Sequence, residues 1–340
     1  MTNPRQIIVG AVGSPYSRKL RAVMNYRRIP YVWVNQGSPE SRSLPKPPVQ
    51  LLPQLIATGA DGAATARIDS TPLIRELERE RTERSVIPPD AVVGFLDALL
   101  EDYADEWLTK AMFHYRWSFE PDIAKAAAIL PRWFLTNQPE DRARAMGEQF
   151  AKRQIDRLWV VGSNETTAPV IEQSYRRLLG LLDAHFTASR FLVGGRPGVS
   201  DFGVFGQLTQ LVGFDPTPAA IALETAPRVV AWVDLVENLS GLEPCDEQWM
   251  TRDAVPETFT ALLAEVGRVY APFLLANADA LERGAERVEG TIDGRPWIQK
   301  PFPYQGKCLA WLRQAHAGLA VDDRSAVDAI LAGTGCEALF

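Results

Sequence analysis

The hydrophobic periodicity of the chain changes about a quarter of the way along, and this change most constrains the fold. Before it, short runs of branched apolar residues such as Ile7–Val12 alternate with helical stripes such as that of Leu20 and Val23. Strands covered on both faces and amphipathic helices produce these two patterns. After it, helical spacing dominates. The sequence therefore predicts an α/β domain over residues 1–84 and an all-helical domain over residues 90–242.

The first domain is predicted to hold strands and helices in the order βαβ, loop, ββα. Ser14 and Pro15 open the first helix, because serine is a favoured N-cap and proline suits the first helical position. Four prolines and several serines over residues 35–48 predict a loop after the second strand. Ser70 caps the last helix. The predicted strands are Ile7–Val12, Tyr31–Val34, Val49–Ala57 and Ala66–Asp69.

The second domain is predicted to be a bundle of helices. Apolar and aromatic residues recur at helical spacing throughout Val92–Trp117, which predicts one long helix. Val199–Leu211 is apolar nearly all round, as expected of a helix inside a bundle. Further helices are predicted over Ala143–Val161, Ala168–Phe186 and Pro227–Asn238.

Residues 243–340 form an extension with a pattern of their own. A helix over Pro256–Glu282 carries an apolar stripe. Polar and apolar residues alternate on both sides of Asp293-Gly294, which is a strong signal for a type I′ hairpin. A helix over Tyr304–His316 and a short helix over Ser325–Leu331 follow. An exposed stripe and an isolated hairpin are both unfavourable in water. We therefore predict that the extension packs on the helical domain and walls the cleft beside its long helix.

Composition and charge exclude several classes of function. The net charge is −6, whereas a nucleic-acid surface needs a basic field. The three cysteines are far apart and the three histidines are not at ligand spacing, so neither a disulfide framework nor a metal site is predicted. The N-terminus lacks the pattern of a signal peptide, and no stretch approaches the roughly 18 apolar residues of a membrane span. We predict a cytoplasmic protein without a membrane segment.

Four short motifs occur in an informative order. They are Gly13-Ser14-Pro15-Tyr16-Ser17, Leu52-Pro53-Gln54-Leu55, Asp69-Ser70 and Gly198-Val199-Ser200-Asp201-Phe202. In that order they resemble the active-site segment of serine-type glutathione transferases, the cis-proline segment of the thioredoxin superfamily, an acid–serine pair, and a capping-box helix start. The chain thus resembles the glutathione transferase superfamily, with a thioredoxin-like first domain. Gly198 leaves Asp201 as the remaining half of the capping box.

This resemblance implies glutathione as co-substrate and places the thiolate beside Ser14. A helix N-terminus favours negative charge, and a hydroxyl that donates to an anion makes a strong hydrogen bond. Tyr16 and Ser17 are alternatives for the same role. Ser14 as an ordinary N-cap is the simpler reading, and the two roles are compatible.

The resemblance also implies which residues bind the remaining parts of glutathione. Leu52, in a cis peptide with Pro53, would pair with the cysteinyl backbone, and Asp69 with Ser70 would hold the γ-glutamyl end. The alternatives are an edge-strand proline and an ordinary helix cap.

Four aromatic residues late in the long helix are candidates for an acceptor pocket. Trp107, Phe113, Tyr115 and Trp117 would bind an apolar electrophile if that helix faces the cleft. Their alternative role is plain packing inside the bundle.

The leading functional prediction is an enzyme of the detoxification type, which activates glutathione for attack on a small hydrophobic electrophile. Serine rather than cysteine at the active-site position favours conjugation over deglutathionylation. The alternative is a non-catalytic transferase-like protein that binds a ligand or another protein. The resemblance further implies a homodimer.

Overall fold

The computed structural model describes residues 6–59, 63–134 and 136–340. Residues 1–5 of the predicted first domain lie outside the described residues. A thioredoxin-like part, a helical part and additional C-terminal helices with a hairpin follow one another along the chain, which confirms the predicted fold class.

The thioredoxin-like part is built on one four-stranded sheet. It contains strands β1 (Gln6–Gly10), β2 (Tyr31–Asn35), β3 (Gln54–Thr58) and β4 (Ala64–Ile68) and helices α1 (Pro15–Tyr26) and α2 (Ser70–Glu80). The strand order is β2-β1-β3-β4, with β1 parallel to β2 and antiparallel to β3, and with β3 antiparallel to β4. Ile8 is fully buried and lies between Trp33 and Leu55 in the register.

Two local details of this domain differ from the predicted pattern. A short 3₁₀ helix, Pro39–Ser43, lies within the predicted loop. The third strand begins at Gln54 rather than Val49. Proline has no N–H to donate to a strand ladder, so the proline-rich run ending at Pro53 cannot be paired as strand.

The helical part begins with the predicted long helix. Helices α3 (Ala91–Tyr103) and α4 (Thr109–Ser118) are joined by a π-helical turn, Ala104–Leu108. The others are α5 (Glu120–Phe134), α6 (Glu140–Ile155), α7 (Ala168–His185), α8 (Val199–Leu211), α9 (Pro216–Thr225) and α10 (Pro227–Val236). Helices α5 and α9 were not predicted individually, although residues 90–242 were predicted to be all-helical; both helices carry prolines. In α9 they fall in the first turn, where proline is tolerated.

The extension is an ordered layer on the helical part. Helices α11 (Glu257–Glu265) and α12 (Ala271–Glu282) are joined by a π turn, Val266–Tyr270, and are followed by strands β5 (Val288–Ile292) and β6 (Arg295–Gln299) and by helices α13 (Pro303–Ala317) and α14 (Val321–Leu331). Asp293 and Gly294 have φ of +52° and +69°, as a type I′ turn requires.

The extension packs on two helices of the bundle. Helix α11 packs against α7, and α13 and α14 pack against α3. The buried side chains of the apolar stripe, among them Phe259 and Val269, belong to the same hydrophobic core as the bundle. At the surface, Arg252 bonds both Asp90 and Asp323 at 2.6 Å. These contacts hold the extension against the helical part.

The continuous helix Glu257–Glu282 is long and apolar enough to cross a membrane by length and composition. The prediction that no stretch would pass this test is therefore wrong for this helix. Since 56% of its most apolar window is buried inside the protein, it also fits a core helix, and such a helix is weak evidence for a membrane span.

The start of α8 explains the glycine at the cap position. The Asp201 carboxylate accepts the Gly198 N–H at 2.9 Å, which is the predicted half of the capping box. The other half comes from α3, because Asp97 accepts the N–H groups of Val199 and Ser200 at 3.0 Å each. A Cβ at Gly198 would lie 2.5 Å from an Asp97 oxygen. Glycine is therefore required for a carboxylate from α3 to occupy the cap.

Candidate functional site

A cavity of about 590 Å³ lies where the three parts of the chain meet. The thioredoxin-like domain contributes Tyr16, Leu51, Leu52, Asp69, Ser70 and Thr71. The long helix contributes Asp102, Asp105, Glu106, Thr109 and Lys110. The extension contributes Phe302, Tyr304, Gln305, Cys308 and Trp311. This cavity is the candidate site.

The N-terminal end of α1 is held close to the bundle. Ser14 is its N-cap, and the hydroxyl oxygen accepts the Ser17 N–H at 3.3 Å. Helix α8 passes so near that a Cβ at Gly206 would lie 2.6 Å from the carbonyl oxygen of Pro15. Only glycine allows this approach, which fixes the first turn of α1 beside the cleft.

The three hydroxyl residues of this segment have different surroundings. Tyr16 lines the cavity, and its hydroxyl donates to the backbone oxygen of Asp105 at 2.8 Å. Ser17 is fully buried, and its Oγ accepts the Ala11 N–H at 3.3 Å. Ser14 is half-buried and is not among the described lining residues. Because the Ser14 oxygen is an acceptor, its own proton can still be donated.

The predicted glutathione-binding residues lie together. The Leu52–Pro53 peptide is cis, as predicted. Leu52, Asp69 and Ser70 line the cavity, while Pro53 is buried and is not among the described lining residues. Asp69 has a φ of +77°, and its carboxylate accepts the hydroxyl of Tyr304 at 2.7 Å. The cavity thus brings Tyr16, Leu52, Asp69 and Ser70 to one wall.

A buried ion network links the first domain to the long helix. Lys19 Nζ lies 2.5 Å from Asp105 Oδ2, 2.8 Å from Glu101 Oε1 and 3.0 Å from Thr71 Oγ1. Arg75 bonds the other oxygen of Glu101 at 2.7 Å. Burying such charges is costly unless they are paired, so the network fixes α1 and α2 against this helix.

The wall formed by the long helix contains ionisable groups with strongly shifted pKa values. Burial raises the pKa of Glu106 to about 8, and Asp102 and Asp105 act in the same direction. Burial raises the pKa of Asp102 to about 7. Burial lowers the pKa of Lys110 to about 7, against the attraction of Glu106. Among the described residues, no group of three or more His, Cys, Asp or Glu is placed to hold a metal ion.

Glu106 is expected to make stability depend on pH. Its folded pKa is raised, so between about pH 5 and 8 the folded state keeps a proton that the unfolded state has lost. The free energy of unfolding therefore falls as pH rises, by at most about 1.4 kcal/mol per pH unit for one group. Glu106→Gln should remove this contribution of Glu106 to the pH dependence. In urea unfolding, the free energy of unfolding of the variant should therefore rise relative to that of the wild type as the pH increases from about 5 to 8.

Glu289→Gln, on the exposed face of the hairpin, is the matched control and should follow the wild-type curve. A Glu106→Gln curve parallel to that of the wild type would contradict the prediction.

The four candidate acceptor-pocket residues lie elsewhere. Trp107, Tyr115 and Trp117 are almost fully buried. Within the part of the chain that the structure describes, none of the four is a lining residue of the cavity. The Trp107 ring packs 5.3 Å from that of Trp297 in the extension, and the Trp117 and Phe113 rings are 6.4 Å apart in a separate apolar cluster. These contacts are those of packing residues. The long helix faces the cavity with a different side.

That side could have been read from the sequence. Asp102, Asp105, Glu106 and Thr109 recur at i, i+3, i+4 and i+7 on an otherwise apolar helix, which is a polar stripe on one face. The residues of the extension gave no comparable signal, because nothing local indicates which bundle face α13 covers.

Comparison with known proteins identifies the family. Residues 8–85 match the glutathione S-transferase N-terminal domain, and residues 140–235 match the glutathione S-transferase C-terminal domain. No curated protein sequence matches the chain.

Several solved structures are similar at low sequence identity. A glutathione S-transferase from Rhodospirillum rubrum F11 is 17% identical, covering 73% of this chain and 96% of that one, with a TM-score of 0.40. Rice GST1, solved in complex with glutathione, is 15% identical, with 72% and 94% coverage and a TM-score of 0.42. A GST-like protein from Pseudomonas syringae is 18% identical, with 68% and 66% coverage and a TM-score of 0.42.

The two domain matches occur in the order of the two structural parts and together cover about half of the chain. The chain therefore belongs to the glutathione S-transferase family.

Proposed function

We propose that this protein binds glutathione in the cavity, holds it as a thiolate at the N-terminal end of α1, and directs it at an apolar electrophile. The observation that carries the proposal is the single wall formed by Tyr16, Leu52, Asp69 and Ser70. In the proposed pose Leu52 pairs with the cysteinyl backbone, and Asp69 with Ser70 holds the γ-glutamyl end.

Ser14 is the proposed thiolate-stabilising residue. Lowering a thiol pKa from about 8.5 towards 7 needs only about 2 kcal/mol, which a helix N-terminus and one hydroxyl donor can supply. The Tyr16 hydroxyl already donates to Asp105, and burial holds the pKa of Tyr16 well above its usual value. Ser17 is fully buried. These surroundings favour Ser14 over both alternatives.

Ser14→Ala is expected to keep the fold and to lower turnover about ten- to a hundredfold, because one charge-assisted hydrogen bond to the thiolate is lost. Steady-state rates with glutathione and an activated aryl halide measure this effect. Tyr16→Phe is the control and should retain most of the activity. If Tyr16→Phe loses more activity than Ser14→Ala, the role belongs to Tyr16.

A non-catalytic ligand-binding protein is the second candidate. The observation that favours it is the third wall of the cavity, where Tyr304 of the extension already bonds Asp69 and half-exposed Trp311 is a further lining residue. Calorimetric binding of glutathione without turnover of any electrophile in a panel would support this candidate over catalysis.

The homodimer and the cytoplasmic location also remain proposals. Because the extension packs on α3 and α7, a dimer must use other surfaces of the chain. Light scattering at micromolar concentration should give twice the mass of the chain, and a monomer would contradict the dimer.

A further inference from the structure

The carboxylate of Asp69 is held from the far end of the chain. Tyr304, at the start of α13, donates its hydroxyl to Asp69 Oδ2 at 2.7 Å across the cavity. Burial raises the pKa of Tyr304, and Asp69 adds to the effect, so the hydroxyl keeps its proton and acts as the donor. The contact is therefore a charge-assisted hydrogen bond between the extension and the thioredoxin-like domain.

Asp69 does not behave as an ordinary helix cap. Asp90, the N-cap of α3, has a φ of −73° and accepts the N–H groups of Val92 and Val93 at 2.9 and 3.1 Å. Asp69 occupies the same position before α2, but its φ is +77° and, within the described part of the chain, its side chain makes no capping bond with α2. Its carboxylate bonds Tyr304 instead.

This arrangement puts two opposite charges side by side. The first turn of α2, at Ser70 and Thr71, lines the cavity and carries the positive end of a helix dipole, which favours a carboxylate. The Asp69 carboxylate, turned away from that turn, favours an ammonium group. A carboxylate has about four acceptor sites, so Asp69 can keep the bond from Tyr304 and accept an ammonium as well.

The position of Tyr304 is itself fixed by the extension. Asn277 of α12 accepts the Phe302 N–H at 2.8 Å and donates to the Phe302 carbonyl oxygen at 3.1 Å, just before α13 begins. The ring of Tyr304 packs edge-on against that of Trp311, with centroids 6.0 Å apart. The hydroxyl is thus presented to Asp69 by packed groups of the extension.

We propose that Tyr304 is a positioning residue of the ligand site: it keeps the Asp69 carboxylate off the N-terminus of α2, so that α2 receives the carboxylate and Asp69 the ammonium of an α-amino acid group. The inference rests on the proposed function, in which that group is the γ-glutamyl end of glutathione. Without the Tyr304 hydroxyl, Asp69 is free to turn back onto α2 and to compete with the ligand's carboxylate.

The test compares two unreactive ligands by calorimetry with the full-length protein. One is S-methylglutathione, and the other is the same compound without its α-amino group. Tyr304→Phe should weaken binding of S-methylglutathione about tenfold, the effect of one charge-assisted hydrogen bond, and should weaken binding of the desamino compound by a smaller factor, because that compound loses only its carboxylate contact with α2 and has no ammonium to lose. In an Asp69→Ala background, Tyr304→Phe should have no further effect.

Tyr31→Phe is the matched control, because it also removes a tyrosine hydroxyl that donates, here to Asn25 at 2.8 Å in the first domain. Its affinities should equal those of the wild type. Equal S-methylglutathione affinity for Tyr304→Phe and wild type overturns the inference and leaves the proposed function standing. Equal losses for both ligands also overturn it, since they indicate a general structural role. Wild-type protein that binds neither compound overturns both proposals.

Discussion

Replacing Arg116 by methionine is expected to lower the free energy of unfolding by about 3–5 kcal/mol, the cost of leaving a buried charge without its partner. The Arg116 guanidinium lies 2.9 and 2.8 Å from the two carboxylate oxygens of Asp215 and donates to Gln210 at 2.8 Å. It also donates to the carbonyl oxygen of Gly13 at 3.2 Å, directly before Ser14. Both charged side chains are almost completely buried.

The pH dependence of this loss identifies its cause. Burial raises the pKa of Asp215, against the attraction of Arg116. In Arg116→Met the unpaired carboxyl can escape its penalty by taking up a proton, so the destabilisation should shrink as pH falls. The double variant Arg116→Met with Asp215→Leu, which removes both charges, should recover part of the loss. Urea unfolding at several pH values measures the loss in Arg116→Met, its pH dependence and the recovery in the double variant. A loss below about 1 kcal/mol would contradict the account.

Asp97→Ala is the second large expected effect, with a loss of about 2–4 kcal/mol in the free energy of unfolding. The Asp97 carboxylate is fully buried and accepts two N–H groups at the start of α8 and the hydroxyl of Ser200 at 2.5 Å. Gly198 has no side chain to replace it. Alanine would therefore leave buried donors without an acceptor, and each such donor costs about 1–3 kcal/mol.

Asp90→Ala is the matched control, because Asp90 caps α3 in a more exposed position. It should cost only about 1–2 kcal/mol, because it removes a typical N-cap and one partly exposed ion pair with Arg252. Thermal or urea unfolding of both variants decides the point. Equal losses in the two variants would show that the buried cap of α8 contributes no more to stability than the more exposed cap of α3.

Much of the fold could be predicted because local patterns and topology agree. The helix of Val199–Leu211 was bounded correctly, since it is apolar all round and begins at a recognisable cap. The Asp293-Gly294 turn was located because only a few residues adopt two successive left-handed conformations. Helices α5 and α9 lie within the predicted all-helical domain, but no individual helix was predicted at either place.

The candidate site was less accessible to sequence reasoning. Asp69 and Ser70 were found through a motif, and the structure places them on the cavity. The aromatic residues of the long helix were assigned to the cleft on hydrophobicity, whereas burial against the extension accounts for Trp107. Which helix face meets a cavity depends on packing between distant segments, and Tyr304 reaches Asp69 from 235 positions away. No local pattern contains that information.

The proposed activation of glutathione at Ser14 is best tested by the ultraviolet thiolate absorbance of glutathione, titrated against the protein near neutral pH. We expect a saturable thiolate band with the wild-type protein. With Ser14→Ala we expect binding by calorimetry but a much weaker band, because the donor to the anion is gone while the Asp69 and Ser70 contacts remain. Bound glutathione without a thiolate band in the wild type, or an undiminished band in Ser14→Ala, would contradict the proposed role of Ser14.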